Sequence, residues 1–116
     1  MAKADPKIQF RLRVVLGDDI AVGPGKVELL EAIGETGSIT AAARTLGMSY
    51  RRAWLLVDET NRCLVGPAVA TASGGEKGGG SALTALGAEL VLRYRALEHE
   101  TAIAVRRKLR SVLRAS

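Results

Sequence analysis

Gly37-Ser38-Ile39-Thr40-Ala41-Ala42-Ala43-Arg44-Thr45-Leu46-Gly47-Met48-Ser49-Tyr50-Arg51-Arg52-Ala53-Trp54 is the stretch on which the fold turns. It has the form of two short helices joined by a tight turn. Ser38 is placed as an N-cap, its hydroxyl accepting from an orphan amide of the first helical turn. The alanines 41–43 favour helix and leave a surface that another helix can approach closely. Gly47 supplies the left-handed residue that ends a helix. Ser49 then caps a second helix with Tyr50, Arg51 and Arg52 in its first turn. Ile39, Ala42, Ala43, Leu46, Met48, Ala53, Leu56 and Val57 recur at threes and fours and are expected in one shared core. In a helix-turn-helix the first turn of the second helix faces the base edges of the major groove, so the pattern points to duplex DNA.

Working towards the N-terminus, residues 1–7 form an expected frayed start. Residues 8–16 alternate, with Ile8, Phe10, Leu12, Val14 and Leu16 on one side and Gln9, Arg11 and Arg13 on the other, the pattern of a half-buried strand. Gly17-Asp18-Asp19 marks a turn, residues 20–22 a short extended return, and Gly23-Pro24-Gly25 a second break. Val27, Leu29, Leu30 and Ile33 predict a first helix over about 26–35, and the helix-turn-helix occupies about 38–62.

Towards the C-terminus, residues 68–73 and 81–83 are expected as two strands around Gly74-Gly75-Glu76-Lys77-Gly78-Gly79-Gly80, the form of a wing with a basic tip. Neither of the common glycine-rich phosphate-loop patterns is present, and the context is not strand-to-helix, so nucleotide binding is set aside. Thr84 is placed as the N-cap of a last helix over about 85–113. Leu86, Leu90, Tyr94, Leu97, Thr101, Val105, Leu109 and Val112 form its stripe. Roughly 29 residues at 1.5 Å each give about 43 Å, longer than a domain of this size is wide. A second copy is the expected cover for the excess, with Leu90, Tyr94, Leu97, Thr101, Val105 and Leu109 at the dimer seam. The basic residues Arg106, Arg107, Lys108, Arg110 and Arg114 suit a helix C-terminus.

The fold class is therefore α+β, mainly α: a winged helix-turn-helix over 8–84 with an N-terminal strand and β-wing, and a long dimerisation helix over 85–116. Composition agrees, at 47% hydrophobic and 25% charged over 116 residues. A net charge of +5 and a pI near 9.9 suit a polyanion. No apolar run approaches the ~20 residues of a membrane helix, and the N-terminus lacks a signal-peptide core, so a cytoplasmic protein without membrane contact is expected. The single Cys63 has no neighbouring zinc ligands and is expected as a small half-buried hydrophobe. No metal, cofactor or small-molecule effector site is evident.

The chain resembles the N-terminal DNA-binding region of the ModE family of molybdate-responsive transcriptional regulators. The likeness spans about residues 26–98. It is carried by Leu29-Leu30-Glu31-Ala32-Ile33, Gly37-Ser38-Ile39, Ala42-Ala43, Gly47, Ser49-Tyr50, Ala53-Trp54, Asn61, Gly74-Gly75, Gly78-Gly79-Gly80, Leu83-Thr84, Gly87 and Tyr94. A looser likeness to LysR-type regulators covers residues 37–47. The resemblance implies a winged helix and a homodimer, joined through terminal helices, on a two-fold symmetric operator. Molybdate-sensing members carry further C-terminal oxyanion-binding domains. This chain stops at Ser116 without them, so molybdate sensing is not expected of it.

On double-stranded DNA, Arg51 and Arg52 are the residues expected at base edges, since a guanidinium can bond both acceptors of a guanine. Ser49 and Tyr50 are expected to position the helix on phosphates, with Ser38 and Thr40 at the preceding helix N-terminus and Lys77 at the wing. Trp54 is expected in the core, on a stripe with Tyr50, Ala53 and Val57. The alternative is a protein-interaction module on the same fold, an anti-repressor or heterodimer partner. An enzyme is not expected: His99 sits on the long helix beside Glu98 and Glu100, and no Ser or Cys has an evident base. The carboxylates of Asp18, Asp19, Asp58 and Glu59 are assigned to solubility.

Overall fold

A computed structural model describes residues 6–71 and 80–114. The chain runs β1 (Val14–Leu16), β2 (Asp19–Val22), α1 (Pro24–Thr36), α2 (Ile39–Leu46), α3 (Tyr50–Cys63), β3 (Val69–Thr71), β4 (Ser81–Leu83) and α4 (Ala85–Leu109). Two antiparallel strand pairs flank the helices. One joins β1 to β2 with a bulge between Val14 and Val15. The other joins β3 to β4 in the register Val69 to Leu83, Ala70 to Ala82 and Thr71 to Ser81. This is the winged-helix arrangement, α2–turn–α3 followed by the paired base of a wing.

The core lies where α1, α2 and α3 meet. Leu29, Leu30 and Ile33 of α1 pack with Ile39, Ala42 and Ala43 of α2, Ala53 and Val57 of α3, and Ala68 and Val69 beside the wing. Leu46, Met48 and Leu56 close its edges, so the eight apolar positions expected to share a core do so.

The alternation over 8–16 does not yield a long strand; only Val14–Leu16 pairs. Its partner β2 has four residues, because Gly23-Pro24 ends it and opens α1. Upstream of β1 the chain lies instead against α4. Phe10 meets Tyr94 edge to face at 5.2 Å between ring centroids, and Tyr94 Oη donates to the Leu12 carbonyl at 3.0 Å. The expected half-buried face is also uncovered, since Leu12, Val14 and Leu16 are exposed, with Val15 beside them.

Helix α4 starts where expected, with Thr84 Oγ1 accepting from Gly87 N at 3.0 Å. It ends at Leu109 rather than near residue 113, its chain continuing in turns through Val112. At 1.5 Å per residue, 25 residues give about 37 Å. Its first half is held to the body twice. Leu90, Val91 and Tyr94 pack with Val22 and Val27. Arg95 clamps Glu31 of α1 through Nε at 3.0 Å and Nη2 at 2.6 Å. This fork-to-fork geometry fixes orientation as well as charge.

Glu59 is a structural group rather than a solubilising one. Its carboxylate accepts from Ile20 N at 3.0 Å and from Lys26 Nζ at 2.6 Å, and Lys26 is buried. Lys26 also donates to the Ile20 carbonyl. The Lys26 hydrogen bond first, then the Ile20 amide, holds the Glu59 carboxyl below the usual carboxylate range. A carboxylate whose folded pKa is depressed stabilises the fold above its unfolded pKa. That stability is lost as pH falls through the folded value. Thermal unfolding of Glu59→Gln against pH is therefore expected to show a less stable protein at neutral pH, with the gap closing in acid. A gap that stays constant down to acid would contradict the assignment.

Candidate nucleic-acid interface

The turn between α2 and α3 is built from local signals. Ser38 Oγ accepts from Ala41 N at 3.1 Å, and Ser49 Oγ accepts from Arg52 N at 3.1 Å. Gly47, at φ 68°, ends α2 in the left-handed region, with Met48 N reaching the Ala43 carbonyl at 3.0 Å. A methyl at Gly47 would meet nothing within 4 Å, so its backbone angle rather than crowding calls for glycine. Each capping serine accepts through Oγ and keeps its own hydrogen free to donate to an anion.

Three residues of α3, Ala53, Val57 and Thr60, face the core. At about 100° per residue, Arg51 then stands nearly opposite that buried line. Tyr50 and Trp54 flank it on one side, Arg52 and Leu56 on the other. The Arg52 side borders a shallow cleft with Ser49, Leu55 and Leu56. The Tyr50 side opens onto a groove shared with Thr40 at the start of α2 and with Thr71, Gly80 and Ser81 at the wing base.

Arg44, Arg51 and Arg52 are exposed, and no carboxylate among the described residues pairs with any of them. Arg62, Arg93 and Arg95 are all engaged: Arg62 with Asp19 and Asp58, Arg93 with Glu89, Arg95 with Glu31 and Glu98. The helix-turn-helix thus carries three unpaired guanidinium groups, alongside those of Arg11 and Arg13 before β1 and of Arg106, Arg107, Arg110 and Arg114 at the far end of α4, also exposed and without an ion pair among the described residues. Thr40, Ser49 and Tyr50 are exposed and Ser38 partly so, all on this same side of the molecule. Lys77 lies outside the described residues.

Trp54 is not in the core: it is 46% exposed, and Tyr50 is 53% exposed. The expected stripe was centred too far towards these aromatics. Ala53, Val57 and Thr60 already fill the buried line, and the space there is sized for small side chains. Spacing at threes and fours identifies an amphipathic helix without fixing the centre of its buried arc.

Two expected dimer-seam residues are also reassigned. Tyr94 is 2% exposed, sealed beneath Phe10, and Leu90 packs into both apolar clusters of its own chain. Tyr94 has no face left for a partner, and Leu90 is partly buried by its own chain. Leu97 and Leu109 are exposed, and Thr101 and Val105 are partly buried. Leu92 and Ile103, absent from the expected stripe, are exposed as well. Asn61 was legible only as part of the likeness; its Oδ1 accepts from Ala68 N at 2.8 Å and steers the chain from α3 into the wing.

His99 is exposed and Cys63 is partly buried. Among the described residues no His, Cys, Asp or Glu cluster could hold a metal, and no helix is long and apolar enough to cross a membrane.

No family model matches the chain. Individual proteins do. The molybdenum-pterin-binding protein MopB of Rhodobacter capsulatus is 49% identical over 77 residues, 66% of this chain and 28% of that protein. The molybdenum transport protein ModE of Azotobacter vinelandii is 40% identical over 94 residues, 79% of this chain and 35% of that protein. The DNA-binding transcriptional dual regulator ModE of Escherichia coli (strain K12) is 35% identical over 86 residues, 74% of this chain and 33% of that protein. The chain spans about a third of the length of these curated relatives.

Proposed function

From a chain that carries the N-terminal region of the ModE family, we propose a sequence-specific, DNA-binding transcriptional regulator that acts as a homodimer on a two-fold symmetric operator. The observation that carries this reading is the outward face of α3, where Arg51 and Arg52 stand exposed on the first turn with no carboxylate partner among the described residues. Arg51 and Arg52 read base edges. Ser38, Thr40, Ser49 and Tyr50 hold phosphates, and Lys77 adds a contact from the glycine-rich segment of the wing.

Residues 8–84 form the DNA-binding unit and residues 85–116 the dimerising segment, through helix α4 (Ala85–Leu109), whose first turns serve the packing of the former. The second copy covers the outer half of α4, at Leu97, Thr101, Val105 and Leu109. These four recur at steps of four, with Leu97 and Leu109 exposed, and form a stripe that a partner helix buries well.

Binding to random-sequence duplexes of about 30 base pairs, long enough for two half-sites a helical turn apart, tests both parts of the reading. The affinity is expected to fall steeply with salt, with a log–log slope of about −4 to −8. In sedimentation the protein is expected to be a dimer, and Leu97→Asp with Leu109→Asp a folded monomer of weaker DNA affinity. No duplex binding at low salt overturns the DNA reading. A variant that remains dimeric overturns the assigned seam.

A further inference from the structure

Trp54 is the chain's single tryptophan, and it stands outside the core on a helix that has an apolar interior available to it. A half-exposed indole leaves a large apolar surface in water, which makes it more informative than an exposed leucine. It lies one turn after Tyr50, so the two rings share a flank of α3, and three residues after Arg51, its neighbour on the outward ridge.

That flank forms one wall of the groove whose other walls are Thr40 and the wing base, Thr71, Gly80 and Ser81. The opposite wall is fixed in place. Ser81 N donates to the Gly37 carbonyl at 2.9 Å, tying the wing base to the turn before α2. Among the described residues the lining is two aromatic rings and several hydroxyls, without a carboxylate. Such a surface offers an apolar shelf beside neutral donors, and none of its described residues repels an anion.

Resting on the DNA reading above, we propose that this groove seats one sugar–phosphate strand of the duplex. The Trp54 indole packs on a deoxyribose, and the hydroxyls of Tyr50, Thr40, Thr71 and Ser81 meet the adjoining phosphates. Continuity selects this occupant. A duplex whose major groove receives Arg51 must bring a flanking strand past the next residues on the same ridge, and Trp54 is there. The contact is to backbone, so it adds affinity without sequence preference.

The lone tryptophan makes the test direct. Random-sequence duplex is titrated into the intact protein while indole emission and its quenching by acrylamide are followed. Saturating duplex is expected to shield Trp54 from acrylamide. Trp54→Ala is expected to weaken random and preferred duplexes alike by about tenfold, and Trp54→Phe by less, because a ring remains to cover the sugar. Both variants are expected to keep the wild-type melting temperature and salt slope, since an uncharged contact releases no counterion. Unchanged acrylamide access on saturation, or wild-type affinity in Trp54→Ala, overturns the shelf while leaving the arginine reading intact. Failure of the wild-type protein to bind duplex at low salt overturns both. Shielding of Trp54 by rising protein concentration alone assigns the groove to a second copy and overturns the proposal.

Discussion

Gly87→Ala is expected to destabilise the fold by about 3 kcal/mol or more, lowering the melting temperature by roughly 10 °C. Helix propensity alone gives the opposite sign, a gain of about 1 kcal/mol for alanine over glycine inside a helix. Contact geometry decides against it. A methyl at Gly87 would stand beside the backbone of Ala68, its carbon 2.9 Å and its α-carbon 3.2 Å away, with the carbonyl oxygen nearer still. Neither side can yield cheaply. Ala68 is held by Asn61 through its amide and by Thr84 N through its carbonyl at 2.9 Å. Thr84 Oγ1 in turn donates to the Pro67 carbonyl at 2.7 Å. Gly25→Ala, where an added methyl meets nothing within 4 Å, serves as the control and is expected to be neutral or slightly stabilising. Calorimetry that finds Gly87→Ala as stable as the wild type would show that α4 does not press on the wing base.

Loss of sequence preference is the second large effect, expected in the variant carrying Arg51→Ala and Arg52→Ala. Each bidentate contact to a base discriminates by about 1–3 kcal/mol, so removing both is expected to weaken the preferred duplex by roughly a hundred- to a thousandfold. Random duplex is expected to lose much less, because phosphate contacts elsewhere supply non-specific affinity. Arg93→Ala, which breaks only the exposed pair with Glu89, is the matched control and should bind as the wild type. Equal losses on preferred and random duplex would remove both arginines from the base-reading role.

What the sequence disclosed of this fold is what its neighbours within four residues determine. The caps Ser38, Ser49 and Thr84 and the left-handed Gly47 are local chemistry, and all are found in place. So is the α2–α3 core stripe, because small alanines at helical spacing leave few other arrangements. The misses are positions where a distant element decides. Lys26 and Glu59 are 33 residues apart, and nothing near either one announces the other. Alternation over 8–16 predicts a strand but not the length of its partner, and four residues of β2 suffice for only three of β1. In α4 one periodic stripe serves two purposes. Leu90 and Tyr94 face their own chain while Leu97 and Leu109 do not, and periodicity does not mark where one use ends. Trp54 fell to the same ambiguity on α3. At the candidate interface the residue types were legible from the helix-turn-helix pattern; their division into two flanks of α3 was not.

Selection of bound fragments from a random duplex pool by the purified protein tests the central claim, that α3 carries its two arginines into the major groove from a paired scaffold. The expected outcome is a consensus with two-fold symmetry, its half-sites one helical turn or a whole multiple of a turn apart. A bound pool with the same base composition at every position as the starting pool would contradict it.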